Sequence, residues 1–199
     1  MSKYPNTLGR IEAVWNKLGG EDGVDRFLRG ELVVAVPTPP EFSIWKTINL
    51  GTGLKTADDF RNALKKSKNR IGDWGNDILG KPAFTASETE MDVDLVNVSV
   101  ADLGFKDGAY RRDIIAKALE LGLQLCPAEV GPQLRLQYAD QPKGEWLVIG
   151  MEPITDSDGR LHVFGVGHDN DERWLSGYYG SPGHFWGAAH RFVFVRPSK

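Results

Sequence analysis

The sequence contains very little cysteine, which limits the chemistry that the chain can carry. Its one cysteine, Cys126, lies in the apolar segment LQLCPAEV, residues 123–130. A single cysteine excludes an internal disulfide and most cysteine-ligated metal sites. Because its neighbours are apolar, we expect a buried and inert thiol rather than a nucleophile.

Long apolar runs are also missing. The segment MSKYPNTLGRIEAVW, residues 1–15, lacks the apolar core of a signal peptide, and no stretch is long enough to span a membrane. We therefore expect a soluble protein, cytoplasmic or virion-associated, without membrane insertion. The net charge of −3 disfavours general nucleic-acid binding, which needs a basic face to neutralise phosphates.

Motifs of established catalytic chemistry are absent as well. No GxSxG nucleophile elbow and no HExxH pair occur, and GTG at residues 51–53 is too short for a glycine-rich phosphate loop. The four histidines follow one another at intervals of six, sixteen and six residues, which does not match a helical metal-binding pair. The sequence therefore predicts neither an enzyme nor a bound cofactor or metal ion.

Lysine is absent from residues 144–198, although the chain has twelve, and the composition of this C-terminal region is unlike that of the rest. Residues 156–197 hold all four histidines, two of the six tryptophans and the pair Tyr178–Tyr179, with glycines every few residues. Tyrosine and tryptophan on a turn-rich backbone supply contact area at low entropic cost. This composition is typical of an adaptable binding surface; the alternative is a β region that only closes the core.

The apolar periodicity predicts an α+β fold with two main helices and mainly antiparallel strands. The two helices cover residues 56–66, with Thr56 as N-cap, and 108–122, and an apolar turn covers 71–79. The predicted strands cover residues 42–50, 91–100, 134–138, 144–152 and 192–195, and another turn of helix is expected within residues 127–138 before the third of them. We expect the strand over 144–152 at the sheet centre and the terminal strand to return and pair near residues 42–50.

The first 40 residues are predicted to form a small helical appendage. The segment RIEAVWNKL, residues 10–18, has helical spacing that ends at Gly19–Gly20, and a second short helix covers 24–29. A strand over 32–36 is expected before a proline-rich link. The sequence thus predicts an appendage over residues 1–40 and one domain over 41–199.

Two acidic segments of the C-terminal region allow two interpretations. DSDG at residues 156–159 and HDND at 168–171 resemble parts of calcium-binding loops, but no acidic residue completes the twelve-residue EF-hand pattern. Asx turns explain both segments without a metal ion, and we favour turns.

The order of the motifs in this region carries a resemblance to a known family. DSDG is followed by RWL at residues 173–175, YY at 178–179, Pro182, Trp186 and FVFVRP at 192–197. This order of motifs resembles the variable region of proteins that diversity-generating retroelements diversify. The segments WNKLGGEDGVDRFLRGEL and LGKPAFTASETE also resemble bacterial and viral proteins with such tails. The resemblance implies a C-type-lectin-like fold, of the branch related to formylglycine-generating enzymes, with its variable region at about residues 156–197.

The composition agrees with such diversification, in which adenines of asparagine codons are randomised. Changing the first two bases of AAC or AAT cannot produce Lys, Glu, Gln, Met or Trp. Lys, Glu, Gln and Met make up 30 of the 199 residues, so about four or five are expected within residues 160–190. Only Glu172 occurs there.

The resemblance divides the region into fixed and varied residues. The fixed scaffold, expected to pack inward, consists of Trp174, Trp186, Phe192 and Phe194. The varied, exposed positions are expected to be Arg160, His162, Phe164, His168, Asn170, Ser176, Gly177, Tyr179, Ser181, His184, Phe185 and His190. Arg160, His162 and Phe164 alternate along a strand and so share one face. For Phe164 and Phe185 the alternative is burial in the core.

The predicted function is non-enzymatic binding of an unknown protein or other macromolecular ligand through this variable surface. The cysteine-dependent activity of formylglycine-generating enzymes is not expected, because Cys126 lies outside the region. One alternative is a histidine-dependent nuclease or metal hydrolase that uses His168, His184 and Asp169. Another is a virion protein whose tail is an oligomer interface.

Overall fold

A computed structural model describes residues 7–32 and 41–197 of the chain. Contacts between Cα atoms divide the chain into two units, Met1–Pro39 and Pro40–Lys199. The strand predicted over 32–36 and the proline-rich link lie outside the described residues, except for Leu32, which is in a bend. None of the described helices combines the length and the apolar character that crossing a bilayer requires.

The first unit contains a helical hairpin. Helix α1 covers Thr7–Leu18 and α2 covers Glu21–Leu28, so the helix predicted over 10–18 is confirmed and the second begins three residues earlier than expected. Gly19 and Gly20 have φ values of 95° and 79° and turn the chain between the helices. Apolar side chains of both helices line one groove: Ile11, Val14, Trp15, Leu18, Val24, Phe27 and Leu28.

The second unit contains the other four of the six described helices and all of the described strands. In chain order its elements are β1 (Lys46–Leu50), α3 (Ala57–Lys66), β2 (Asn69–Ile71), α4 (Asp73–Leu79), β3 (Met91–Ser99), β4 (Ala109–Tyr110), α5 (Arg111–Glu120), α6 (Val130–Gln137), β5 (Trp146–Ile149), β6 (Ile154–Thr155), β7 (Leu161–Asp169), β8 (Glu172–Tyr179), β9 (Phe185–Trp186) and β10 (Arg191–Val195). The architecture is mixed α+β, as predicted.

One curled sheet dominates this unit, with the strand order β1-β3-β10-β5-β7-β8-β2, and β6 pairs with β7. The β10–β5 and β2–β8 pairs are parallel and the other described pairs are antiparallel, so the prediction of mainly antiparallel strands is confirmed. The terminal strand β10 does return near β1, but it lies between β3 and β5 and pairs with β3 rather than with β1 itself. Phe192, Val193 and Phe194 are buried on both faces of β10, which favours a central place in the sheet.

Both faces of the sheet contribute to the core. On one face, Gly131 of α6 approaches Phe164 of β7 so closely that a Cβ on the glycine would lie 2.6 Å from the phenyl ring. Phe84 connects Phe164 to Phe60 of α3, with ring centroids 6.0 and 5.4 Å apart. On the opposite face, Trp186 of β9 packs edge-on against Phe192 of β10 at 5.3 Å. The small sheet formed by β4 and β9 therefore covers part of that second face.

The second unit is more helical than the sequence predicts. Residues 73–79 form α4 instead of an apolar turn, and α6 replaces the strand predicted over 134–138. The alternating segment LRLQY resembles a half-exposed strand, but of its polar residues only Gln137 is exposed and Arg135 is buried. The fully buried Arg135 guanidinium donates hydrogen bonds to the carbonyl oxygens of Tyr138 and Gly167. A buried polar residue whose hydrogen bonds are satisfied within the core thus produces the same polar–apolar alternation in the sequence as a residue that faces solvent.

Two local predictions are confirmed. Thr56 caps α3 in a capping box, in which its side chain accepts a hydrogen bond from the Asp59 backbone and the Asp59 carboxylate accepts one from Thr56. Cys126 is buried, and burial raises the pKa of its thiol far above the usual range. The cysteine is therefore held as the unreactive thiol.

Candidate functional site

Apart from Arg160, which precedes β7, the residues predicted to vary lie on the hairpin formed by β7 and β8 and on the connection from β8 through β9 to β10. In the hairpin, His162 pairs with Tyr179 and Phe164 with Gly177. Residues directly opposite each other on antiparallel strands point to the same face. The register therefore decides which of the predicted positions reach solvent.

His162 and Phe164 do not reach solvent, so the expectation that they are exposed is wrong. Both side chains are fully buried. They do share one face of β7, as the alternation predicts, but that face is the one against which Gly131 of α6 packs. For Phe164 the alternative of core burial is confirmed. Alternation identifies a common face but not which layer covers it.

His162 lies in a closed polar and aromatic setting. Its Nε2 is 3.0 Å from Asp156 Oδ2, a salt-bridge distance, although the two atoms are not aligned for a hydrogen bond. The His162 ring stacks on Tyr179, with centroids 5.5 Å apart, and lies 4.7 Å from the Trp74 ring. Tyr179 and Trp74 thus cover the buried histidine from the solvent side.

The DSDG segment forms a turn, as favoured from the sequence. Asp156 Oδ1 accepts hydrogen bonds from the backbone N–H groups of Asp158 and Arg160, at 2.9 and 2.8 Å. Burial raises the pKa of Asp156, but these two hydrogen bonds and the neighbouring His162 outweigh it, so the pKa lies below its ordinary value. Arg160 is exposed on this turn.

The HDND segment forms the tight turn between β7 and β8. Asp169 pairs with Glu172, and the two residues between them, Asn170 and Asp171, have φ values of 47° and 65°. This is the geometry of a two-residue type I′ turn, for which asparagine and aspartate are well suited. Asn170 is exposed. The half-buried His168 places Nδ1 2.6 Å from the carbonyl oxygen of Gln141, so that nitrogen donates the hydrogen bond.

Ser176 and Gly177 are half-buried at the edge where α4 meets β8. A Cβ on Gly177 would lie 2.6 Å from Trp74 Cβ, and one on Gly75 would lie 2.9 Å from the Leu175 carbonyl oxygen. No real side chain tolerates contacts this short, so a larger residue at 177 would push α4 away from the strand. Gly177 therefore does not have the freedom that a varied position needs.

Five of the predicted positions form a set that reaches solvent around the β8–β9 connection. We call this set the display surface, and it consists of Tyr179, Ser181, His184, Phe185 and His190. Phe185 is 52% exposed and Tyr179 is 41% exposed. His184, which lies between them in the sequence, is half-buried. The Tyr179 ring lies 5.3 Å from the His184 ring. Burial lowers the pKa of His184, and the neighbouring His190 lowers it further, so the neutral imidazole is favoured.

The display surface is supported from beneath by Trp186. This tryptophan is only 3% exposed, and its ring contacts His184 at 5.0 Å and His190 at 5.1 Å. Phe192 and Phe194 are fully buried, so the inward packing predicted for these three scaffold residues is confirmed. Trp174 is different, because it is half-buried at the wall of a surface depression. The prediction that Trp174 packs inward is wrong.

Main-chain hydrogen bonds fix the β8–β9 connection to the start of α5. The backbone N–H of Arg111 donates to the His184 carbonyl oxygen at 2.8 Å, and that of Arg112 donates to Pro182 at 3.1 Å. Within the connection, the His184 N–H donates to the Ser181 carbonyl oxygen at 3.0 Å. These bonds depend on the backbone alone. The path of the connection is therefore fixed without the side chains of Ser181, His184 or Phe185.

Three aromatic or basic residues from outside the C-terminal region join this surface and were not found from the sequence. Tyr110 pairs with Phe185 across β4 and β9, with ring centroids 5.6 Å apart, and the Arg112 guanidinium lies 4.9 Å from the Tyr110 ring. Trp74 lies 5.1 Å from Tyr179. Only the pairing of strands and helices distant in sequence brings them here. No local pattern distinguishes them, although a tryptophan in the polar segment GDWGND is unusual for a core residue.

The structure places the histidines and acids of the alternative catalytic hypothesis in separate surroundings. His168 is engaged with Gln141, and His184 lies between Tyr179 and Trp186. Among the residues that the structure describes, no three His, Cys, Asp or Glu side chains are arranged to hold a metal ion. Comparison with protein-family models, curated proteins and solved structures finds no match to this chain.

Proposed function

We propose that this protein is a non-enzymatic binding protein that contacts a macromolecular partner, most simply another protein, through the display surface. One observation carries the proposal. The exposed aromatic side chains of Tyr179 and Phe185 stand at the two ends of a connection whose path is fixed by main-chain hydrogen bonds, and the buried Trp186 packs beneath them. The chemistry of the surface can then change while the fold beneath it stays the same.

The energetics of association favour such a surface. Tyr179, Phe185 and Tyr110 offer large contact areas with few rotatable bonds, so little conformational entropy is lost on binding. Their rings are already held against neighbours before a partner arrives. A connection that is ordered in the free protein avoids a further entropic cost. These features support binding rather than a covalent reaction.

The resemblance to retroelement-diversified proteins with a C-type-lectin-like fold belongs to the same proposal, in a narrower form. We propose that diversification acts at the display surface. His162, Phe164, Asn170 and Gly177 are excluded from it, because burial, a positive φ or a close helix contact restricts each of them. Trp186, Phe192 and Phe194 serve as the invariant frame.

A pair of libraries displayed on phage tests this proposal. In the first, the five display-surface positions of the full chain are randomised. In the second, five exposed positions at α3 are randomised as a control: Asp58, Asn62, Lys65, Lys66 and Ser67. Both libraries are scored for resistance to protease and then selected on hen egg-white lysozyme as an arbitrary protein target. Because neither set of side chains holds the fold, we expect similar fractions of resistant clones.

The two libraries should differ in selection. The display library is expected to yield saturable lysozyme binders, whereas the α3 library, on a convex helix without aromatic support, should yield none. A display library that loses protease resistance would show that these side chains build the fold. A resistant library without binders would show that the surface lacks the capacity proposed for it.

A further inference from the structure

A second surface feature lies along β8 and includes none of the five display-surface residues. One depression is lined by Gly72, Trp146, Asp169, Asn170, Glu172, Trp174 and Ser176. A neighbouring one is lined by Gly72, Asp73, Trp74, Ser176 and Gly177. Because Gly72 and Ser176 line both, the two depressions are adjacent, and we call them together the tryptophan groove. Three of the six tryptophans of the chain line it.

The register of three adjacent strands produces the aromatic wall. Gly167 of β7 lies opposite Trp146 of β5 on one side and opposite Trp174 of β8 on the other. The two tryptophans therefore project from the same face and flank a glycine. A Cβ on Gly167 would lie 2.2 Å from the Trp146 ring, so the indole lies directly over the glycine backbone.

The walls of the groove are held by side-chain packing and main-chain hydrogen bonds. Trp146 packs edge-on against Tyr178, with ring centroids 6.3 Å apart, and is still 36% exposed. The Gly72 N–H donates to the Leu175 carbonyl oxygen at 2.9 Å, which holds the start of α4 against β8. Small residues at 72, 176 and 177 leave the space open. An exposed indole with a rigid support can therefore present its π face to a ligand.

The charge around the groove is negative. Its described lining includes Asp73, Asp169 and Glu172 and no lysine or arginine. Arg70 lies beside it and binds Glu172 at 2.6 Å, so that carboxylate is neutralised. The exposed Asp169 carboxylate accepts only a long hydrogen bond from the Asn170 amide, at 3.3 Å. Asp73 and Asp169 therefore have no cationic partner among the described lining residues.

We propose that the tryptophan groove binds an organic cation of the quaternary ammonium class. The electron-rich faces of two indoles attract a cation, and tryptophan is the strongest aromatic residue for this contact. A quaternary ammonium group is bulky and has no N–H, so it needs aromatic walls and nearby negative charge rather than directed acceptors. Asp169 and Asp73 supply that charge. This inference does not rest on the display surface.

Titration of the full chain with choline tests the inference, and the indole N–H signals in NMR spectra report the binding. Signals of Trp146 and Trp174 are expected to shift saturably, whereas that of the buried Trp186 should not. The neutral isostere 3,3-dimethylbutan-1-ol has the same shape without the charge. We expect it to bind about fivefold more weakly, the factor that loss of a cation–π contact produces.

Substitutions distinguish the contribution of the tryptophan walls to choline binding from that of the acidic side chains. Trp174→Ala should weaken choline binding about fivefold or more, and Asp169→Asn should weaken it about two- to threefold. Tyr110→Ala, a matched aromatic substitution on β4, should leave it unchanged. If Trp174→Ala impairs folding, Trp174→Phe provides the comparison, with a smaller loss expected from the weaker ring.

Three results would overturn the inference. The first is the absence of saturable choline shifts in the unmodified protein. The second is equal binding of the neutral isostere, which would make the groove a simple apolar cleft. The third is binding of methyl α-mannoside in place of choline, because a sugar can also stack on indoles beside carboxylates.

Discussion

Phe164 and Phe185 have the same side chain and lie in the same C-terminal region, yet their surroundings are opposite. Phe164 is fully buried beneath Gly131 and contacts Phe84, whereas Phe185 is 52% exposed and contacts Tyr110 at the surface. Single residues thus show the division between frame and display surface most clearly. The sequence leaves burial as an alternative for both phenylalanines, because an aromatic residue in a glycine-rich stretch is compatible with either environment.

This difference predicts unequal stability effects for the same substitution. Phe164→Ala should reduce the free energy of unfolding by about 3–5 kcal/mol, since it leaves a cavity in a packed core. Phe185→Ala should change it by less than about 1 kcal/mol, because about half of that side chain is already in water. Urea unfolding of both variants provides the measurement. Similar losses for the two would show that Phe185 is part of the core and would remove it from the display surface.

The β7–β8 hairpin shows what the sequence can and cannot predict at the level of an element. HDND predicts a turn because asparagine and aspartate tolerate positive φ, and the structure has that turn at Asn170 and Asp171. The two strands beside it contain few strictly alternating residues, since glycines at 165 and 167 accommodate the rings of Tyr178 and Trp146. These glycines are needed for contacts across strands, and no local pattern reveals such a need.

The prediction of a strand where α6 lies is wrong for a related reason. Its polar residues Gln133 and Arg135 are buried and hydrogen-bonded, so the polar–apolar alternation that indicates a strand does not reflect exposure. Local propensity therefore identified α1, α2, α3 and α5, but it missed α4 and indicated only one turn of helix within residues 127–138, where α6 lies. The same limit applies to the site, where Trp74 and Tyr110 reach the display surface only through tertiary packing.

The turn geometry yields a second prediction. Asn170→Val should reduce the free energy of unfolding by about 1–2 kcal/mol, because a β-branched residue is strained at the φ of 47° found there. Asn170→Gly should be neutral or slightly stabilising. Ser181→Val, an exposed position in the β8–β9 connection, serves as the control and should have little effect. If Asn170→Val matched the Ser181→Val control in chemical denaturation, the type I′ turn would not be the conformation in solution.

At the scale of the whole molecule, the second unit combines an inflexible frame with two exposed aromatic surfaces. The frame includes β10, which the sequence identifies as an apolar strand but not as a central one, because strand order depends on contacts between distant segments. Tyr179 and Trp74 connect the surface to the interior, since both cover the buried His162. The frame and the two aromatic surfaces lie together in the second unit, and the helical hairpin of the first has its own apolar groove.

We propose that diversification varies the display surface while the buried residues beneath it stay constant. The most direct measurement is sequencing of the 3′ end of this gene, with its flanking DNA, in many copies from the source population. We expect substitutions concentrated at the codons of Tyr179, Ser181, His184, Phe185 and His190, at adenine-derived bases, beside a near-copy of the region and a reverse transcriptase gene. We also expect few substitutions at the codons of buried or sterically restricted residues: His162, Phe164, Gly177 and Trp186. A region as invariant as the rest of the gene, or substitutions spread equally over buried and exposed codons, would contradict this proposal.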